Sequence, residues 1–417
     1  MTRMQKFWRW LVTVVQVPPM QLVARIWARL KGLYHRTPLY PMLLEREEFP
    51  LKPALTIPLT RTGNAARGKA LAEKGDFTFV GRTIRMPYDM GQRVNWQPVE
   101  AERLWVFNLH YWDWLADLHA ADARDTALKL VEDWLLECDA YQNTIWHPYP
   151  TSLRLVNALQ YAPWVLKEAS PALIDAYWSS LHRQASFLED NVEWDVRGNH
   201  LIKNIKALMF TGLGLPNRQS LFLNGQKLLQ QELAHQIPAD GAHFERSPMY
   251  HVQVLEDVLD IQALYRKAQL KVPPYLTAAI ERMASALAFY MYPDGKLPLM
   301  NDSHEGDVEH LAALARKVGV PDALPVELSE AGFVRLQKGD MMVMLDAGKI
   351  PAQQPGHAHA EALAIELCMG EERVVVNCGT FAYQHPLRQP LRGTMAHSTV
   401  CVDEEDSAAV WAQHRVG

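Results

Sequence analysis

Phe244-Glu245-Arg246-Ser247-Pro248-Met249-Tyr250-His251 runs directly into Val252-Gln253-Val254-Leu255-Glu256-Asp257-Val258-Leu259. Apolar residues at 252, 254, 255, 258 and 259 suit one face of a helix. Ser247 followed by Pro248 supplies an N-cap and a first helical residue. Tyr250 and His251 then fall in the opening turn, where helix-end N–H groups favour negative charge. Tyr can give or take a proton at its hydroxyl, and His does so near neutral pH. With Glu245 and Arg246 beside them, two readings stay open. The stretch is an ordinary capped helix with local hydrogen bonds, or it is a reactive helix mouth.

The surroundings of this helix repeat its pattern. Helical periodicity covers roughly 108–120, 123–138, 151–168, 171–190, 198–212, 216–236, 248–269, 274–291 and 307–318. Turn signals at Asn143-Thr144, Gly212-Leu213-Gly214, Asp240-Gly241 and Pro293-Asp294-Gly295 separate many of these segments. Helix pairs on short loops stack into bundles, solenoids or toroids. After Pro325 the texture changes to strand-length runs at 332–337, 341–346, 363–367 and 373–376, with a further strand expected at 397–403. Helices followed by strands indicate an α+β chain. The division expected is 1–100 as a helix and small mixed segment, 101–325 as the helical domain and 326–417 as an antiparallel β domain. Four or five strands leave an open edge, so the sheet reads as unfinished where it stops at Gly417. In the first segment, 77–80 and 83–86 suggest a hairpin. Residues 18–35 suggest an amphipathic basic helix, expected to pack on the main body rather than touch a membrane.

Composition narrows the function. The 417 residues are 48% hydrophobic and 21% charged, with a net charge of -5. A nucleic-acid partner normally leaves a basic footprint, so none is expected. A local cationic cleft for an acidic polysaccharide remains compatible with that balance. Thirteen Trp and fourteen Tyr suit sugar rings as well as core packing. Cys138, Cys368, Cys378 and Cys401 show no metal or redox spacing. Free thiols are expected, although Cys368 and Cys378 could meet on neighbouring strands. The basic N-terminus has only a short apolar run at 11–15 and no clean cleavage site, so no signal peptide is read. That leaves a bacterial-type cytoplasmic or periplasmic location. No run is long enough for a membrane span. No glycine-rich phosphate loop follows a strand, so no nucleotide or redox cofactor is expected.

Polar clusters interrupt the pattern in four places. Phe107-Asn108-Leu109-His110-Tyr111-Trp112-Asp113-Trp114 and the later Trp146-His147-Pro148-Tyr149-Pro150-Thr151-Ser152-Leu153-Arg154 offer a sugar groove, with Tyr111 and Trp146 as stacking candidates and Arg154 for an acidic group. Gly198-Asn199-His200 opens an apolar helix, where an amide and an imidazole can neutralise a carboxylate. The third cluster is Glu245 to His251. The fourth is His357-Ala358-His359 with Asn377 and His397. Alternate residues on a strand share a face, so two of these His with a third make a conceivable zinc site. Asn377 is a poor ligand where a carboxylate would serve.

Together these clusters resemble the heparinase II/III-like polysaccharide lyases. The resemblance runs from about Trp105 to Asp403. It rests on Gly198-Asn199-His200, Glu245-Arg246-Ser247-Pro248-Met249-Tyr250-His251, Gly356-His357-Ala358-His359, the turn Gly379-Thr380-Phe381-Ala382-Tyr383, and Arg392-Gly393-Thr394-Met395-Ala396-His397-Ser398-Thr399. It implies an incomplete (α/α) toroid followed by an antiparallel β-sandwich, here stopping short of the usual length. It implies Tyr250 as the proton-transferring residue, His357 as its partner base, and Asn199 with His200 as the groups that neutralise a uronate carboxylate. Glu245, Arg246, His251, Arg154, Trp146 and Tyr111 would bind substrate. His359 and His397 would be ligands of a structural zinc, whose third ligand in the family is normally Asp. Asn377 departs from that pattern.

The chemistry implied is β-elimination from a uronic-acid-containing polysaccharide, with a bacterial exopolysaccharide as the preferred substrate. Two rivals are kept. A toroid glycoside hydrolase needs paired carboxylates, for which Glu245, Asp240, Asp302 and Asp113 are candidates. A polysaccharide-binding or assembly protein would keep the aromatic groove without turnover.

Overall fold

Caps and periodicity place most helices where the sequence puts them. A computed structural model describes residues 4, 7, 8, 10, 11, 15, 17–35, 37, 40, 53–60, 62–87, 92–142, 144–319, 321, 324–350, 355–412 and 414–416. Asn143 of one expected turn and most of the N-terminal apolar run lie outside them. The helices are α1 (Pro19–Tyr34), α2 (Ala65–Lys74), α3 (Arg103–Leu109), α4 (Trp114–Ala120), α5 (Arg124–Cys138), α6 (Pro148–Val165), α7 (Pro171–Asp190), α8 (Gly198–Gly214), α9 (Gln219–Gln236), α10 (Pro248–Lys267), α11 (Pro274–Tyr290) and α12 (Val308–Val318). The helix expected at 108–120 is instead two, α3 and α4, broken at Trp112, whose φ is 61°. A buried left-handed Trp breaks the helix there without the Gly or Pro that would mark it in sequence.

The chain forms two compact units, one of residues 23–229 with 260–271 and the other of 1–22 with 230–259 and 272–417. In the first, α6 and α8 are buried nearly all round, which marks interior rather than surface helices. A Cβ on Gly212 of α8 would stand 2.3 Å from the backbone nitrogen of Phe222, so only Gly permits that approach. The expected hairpin is present as β1 (Asp76–Phe79) and β2 (Arg82–Arg85), antiparallel.

α1 does not pack by its apolar face: Gln21 is buried, while Val23, Ile26, Trp27, Leu30 and Leu33 are exposed. Its polar side holds it, with Arg25 donating to the Asp195 carbonyl and Lys31 to the Asp190 carbonyl.

The second unit carries an antiparallel sheet in the order β3 (Glu327–Leu328), β4 (Phe333–Lys338), β5 (Met341–Asp346), β6 (Ile365–Met369) and β7 (Glu372–Val375). Met342, Met344 and Cys368 point inward and Met341 and Met369 outward, the alternation of a half-buried sheet. Arg335 on β4 donates to the carbonyls of Ala288, Phe289 and Met291, satisfying the C-terminal end of α11. β8 (Val410–Ala412) and β9 (Arg415–Val416) form a separate hairpin. The strand expected at 397–403 is not formed. That segment turns at His397–Thr399 and is held by Ser398, whose N–H donates to Asn377 Oδ1 and whose hydroxyl donates to the Val376 carbonyl. Asp403 and Glu404 follow with φ of 52° and 60°, which strand geometry excludes. The four cysteines are free. No helix among the described residues is long and apolar enough to cross a membrane.

Candidate active site

Two helix mouths, those of α8 and α10, follow a strained residue, as does Asp302. Arg197, at φ 62° and ψ -150°, precedes α8, in a region occupied almost only by Gly. Arg246, at φ 56°, precedes α10, and Asn301, at φ 55°, precedes Asp302. Such conformations cost on the order of 1–3 kcal/mol each and persist where the surroundings impose them.

In the first unit, Asn199 is buried in the opening turn of α8 with His200 beside it. His200 Nδ1 lies 3.0 Å from Glu193 Oε1. Asn204 Nδ2 donates to the other Glu193 oxygen at 3.0 Å and to Ser152 Oγ at 3.0 Å. Burial would raise the Glu193 carboxyl, but His200, His147 and Asn204 outweigh it and hold it low. An ionised carboxylate only accepts, so His200 presents a fixed Nδ1–H and directs Nε2 outward. Tyr149 lies against the His200 ring with centroids 4.1 Å apart, and Tyr111 packs on Tyr149 at 5.8 Å. Glu193 and Tyr149 are additions to the expected set. Glu193 sits in a sequence with no motif of its own, five residues before Gly198.

Arg154 and Trp146 do not belong to an accessible site. Arg154 is 0% exposed, and its guanidinium donates to Gln184 Oε1, the carbonyls of His110 and Ile145, and Thr151 Oγ1. Trp146 is buried and donates to the Cys138 carbonyl. Both were expected to bind substrate, but the core claims them because every donor finds an internal acceptor. Arg154→Ala is therefore expected to lower folding stability by about 3 kcal/mol or more, through a cavity and orphaned acceptors. Urea denaturation measures this, and unchanged stability with weaker substrate binding would reverse the assignment.

In the second unit, Ser247 caps α10 as expected, its hydroxyl accepting from the Tyr250 N–H and donating to the Asp302 carbonyl. The Tyr250 ring stacks on His357 with centroids 4.0 Å apart. Its hydroxyl lies 2.7 Å from that of Tyr383. His357 Nδ1 lies 2.9 Å from Asp302 Oδ2, and His359 Nε2 lies 2.9 Å from Asp302 Oδ1. Arg388 completes the clamp on both Asp302 oxygens. Burial would raise the Asp302 carboxyl, yet hydrogen bonds from His357, His359 and Arg388 hold it well below the usual range. The Tyr383 hydroxyl is pushed well above its usual value by burial and by the Asp302 charge, so it stays protonated. His414 flanks Tyr383 with centroids 5.4 Å apart.

Other expected residues have structural work here. His251 is fully buried, between the His243 N–H and the Met283 carbonyl, and burial lowers its pKa to about 4. Glu245 is buried with one oxygen 3.5 Å from His243 Nδ1, and Arg246 donates to the Glu330 carbonyl. All three were expected to bind substrate; His251 is taken by internal partners, and the Arg246 bond to Glu330 lies at the surface. Two of the acids a hydrolase would draw on already have partners. Asp302 is clamped, and Asp240 accepts from the N–H groups of Ala242, Glu330 and Ala331.

A third cluster lies behind His357. His359, Glu361 and His397 are buried with ligand atoms within 4.8 Å of one another. His359 Nδ1, Glu361 Oε2 and both His397 ring nitrogens lack hydrogen-bond partners. His359 gives its other nitrogen to Asp302, and a carboxylate on the far nitrogen is what a metal-bound imidazole favours. Two nitrogens and a carboxylate oxygen suit a zinc-type cation. The carboxylate is Glu361, not the residue at 377, because Asn377 spends its Oδ1 on the Ser398 N–H. The alternation His357-Ala358-His359-Ala360-Glu361 was the signal for it.

Comparison with known proteins agrees with this fold. Residues 54–319 match the family model described as Heparinase II/III N-terminus, and residues 321–417 match Heparinase II/III-like, C-terminal. The chain is 27% identical over 313 residues to FtsZ-localized protein C of Caulobacter vibrioides, covering 73% of this chain and 53% of that protein. It is 24% identical over 376 residues to a heparin-sulfate lyase of Pedobacter heparinus, covering 76% of this chain and 55% of that one. It therefore spans about half the length of the curated relatives it matches. A crystal structure of heparinase III superposes with a TM-score of 0.70 at 19% identity, over 91% of this chain and 67% of that one. A helical toroid region followed by an antiparallel β region is the shared fold, and this chain belongs to the heparinase II/III-like family.

Proposed function

We propose that the protein is a polysaccharide lyase that cleaves a uronic-acid-containing acidic polysaccharide by β-elimination. The observation that carries this reading is the Tyr250–His357–Asp302 arrangement, with Tyr383 on the Tyr250 hydroxyl. Two features of the reaction need it. A base must take the C5 proton beside the uronate carboxylate, and an acid must protonate the leaving 4-linked oxygen as the C4–O bond breaks.

His357 is the base. Asp302 accepts its Nδ1–H, which leaves the Nε2 lone pair for the C5 proton. Tyr250 is the acid, and the protonated Tyr383 hydroxyl stabilises the phenolate oxygen that Tyr250 leaves behind. The uronate carboxylate, whose developing enediolate charge is the largest electrostatic demand of the step, needs a neutralising partner, the role that the family resemblance gives to Asn199 and His200. The relatives named heparin-sulfate lyase support the reaction class. The test is purified protein on a panel of uronate polymers, followed by ultraviolet absorbance of the unsaturated product. A new reducing end without that absorbance would mean hydrolysis and overturn the reading.

Glu193→Gln tests the positioning of His200. It is expected to lower kcat/KM on the order of tenfold or more while leaving the thermal midpoint within a few degrees. A loss that follows unfolding alone would remove Glu193 from the machinery.

The same reading extends to a structural zinc-type cation held by His359, Glu361 and His397. It would neutralise buried Glu361 and tie the 359–361 segment to His397. Metal analysis is expected to find about one equivalent, and chelation to lower the thermal midpoint. An unchanged midpoint with no bound metal would reject it. A second functional reading, a binding or assembly protein, draws support from the match to FtsZ-localized protein C. Binding across the polymer panel with no turnover would favour it.

A further inference from the structure

We propose that α1 docks the protein on an anionic lipid surface. The helix is amphipathic but inverted. Val23, Ile26, Trp27, Leu30, Leu33 and Tyr34 fall on one stripe by helical periodicity, and all six are exposed, Trp27 by 57% and Leu30 by 52%. The opposite side carries Gln21, which is buried, and Arg25, which donates to the Asp195 carbonyl, among small residues. A folded chain rarely leaves so continuous an apolar face in water unless something covers it.

Charge identifies what covers it. From residue 1 to residue 44 the chain has seven Lys and Arg and no Asp or Glu, on a protein whose net charge is -5. Arg29 stands exposed on one rim of the stripe, and Lys31 lies over the Trp27 ring at 5.9 Å on the other. Apolar residues and Trp on one face with basic residues on its rims describe a helix lying in the plane of an anionic interface. A second copy of the chain fits less well, because a two-fold pairing through this stripe would bring the same basic rims together.

The test is co-sedimentation of the full chain with vesicles of phosphatidylcholine mixed with phosphatidylglycerol, against phosphatidylcholine alone. Binding is expected only to the anionic vesicles and is expected to fall with salt. Arg29→Glu should weaken it about fivefold or more, and Trp27→Glu with Leu30→Glu should abolish it. Thermal midpoints are expected to stay at the wild-type value, because all three positions are exposed. Undiminished vesicle binding by the Trp27→Glu, Leu30→Glu variant would overturn the proposal. So would a wild-type chain that ignores both vesicles, including one found as a dimer that this variant makes monomeric.

Discussion

Tyr250→Phe is expected to cut turnover by a factor on the order of 100 to 10,000, with the fold intact. The substitution removes one hydroxyl and keeps the ring that stacks on His357 at 4.0 Å. What it takes away is the proton delivered to the leaving oxygen, and a positioned general acid is worth roughly that factor. The Ser247 cap is untouched, because it uses the Tyr250 backbone N–H. Stability is therefore expected to change by about 1 kcal/mol, the scale of one hydrogen bond to Tyr383. KM should move little if Tyr250 acts in the transition state rather than in binding. Unsaturated product formed at the wild-type rate would remove Tyr250 from the mechanism. Tyr383→Phe provides the companion result. It should lose less than Tyr250→Phe, since Tyr383 acts through the Tyr250 oxygen.

Asp302→Asn is expected to fail more broadly, because one carboxylate holds two functions together. Its Oδ2 orients His357, its Oδ1 orients His359, and both oxygens neutralise buried Arg388. An amide cannot accept from all of them, and it leaves the Arg388 charge uncompensated. Removing one partner of a buried pair costs about 3–5 kcal/mol. Turnover should fall with it, since His357 loses its fixed tautomer. The pH dependence gives an independent signature. The folded Asp302 carboxyl lies well below its unfolded value of about 4. Above that value it is ionised in both states, and its full stabilisation is present. As pH falls below about 4, the unfolded chain takes up the proton first, so the wild type loses this stabilisation progressively. The difference in stability between wild type and Asp302→Asn is therefore expected to shrink as pH drops below about 4. Denaturation across that range measures this, and a difference that grows on acidification would contradict the clamp.

Local pattern carried much of the fold. The spacing of apolar residues and the Ser247-Pro248 cap were enough for α10, and Ser170-Pro171 likewise starts α7. Where local pattern failed, a distant contact had won. Trp112 breaks a helix that no breaker residue announces, because its buried ring and left-handed backbone are imposed by the core around it. The stretch 397–403 alternates like a strand, but side-chain bonds from Ser398 and Asn377 take its place in the sheet. α1 shows the limit most clearly. Its amphipathic pattern was legible, but which side faces the protein depended on carbonyls at Asp190 and Asp195, far along the chain.

The candidate site divides the same way. Its motifs could be read from the sequence because Asn199-His200, Tyr250 and His357-Ala358-His359 are short and local. Their partners could not. Tyr383 meets Tyr250 across 133 positions, and Arg388 meets Asp302 across 86. Arg154 looked like a ligand for acid until the structure placed its donors on internal oxygens. Periodicity and capping act between residues a few positions apart, so the sequence by itself determined the helices, most strands and the reactive residue types. Burial, charge pairing and which carboxylate groups with His359 and His397, Glu361 and not the residue at 377, depend on which distant groups share one desolvated space. Only the tertiary structure decided those, because an unpaired polar group costs energy only once water has been removed from it.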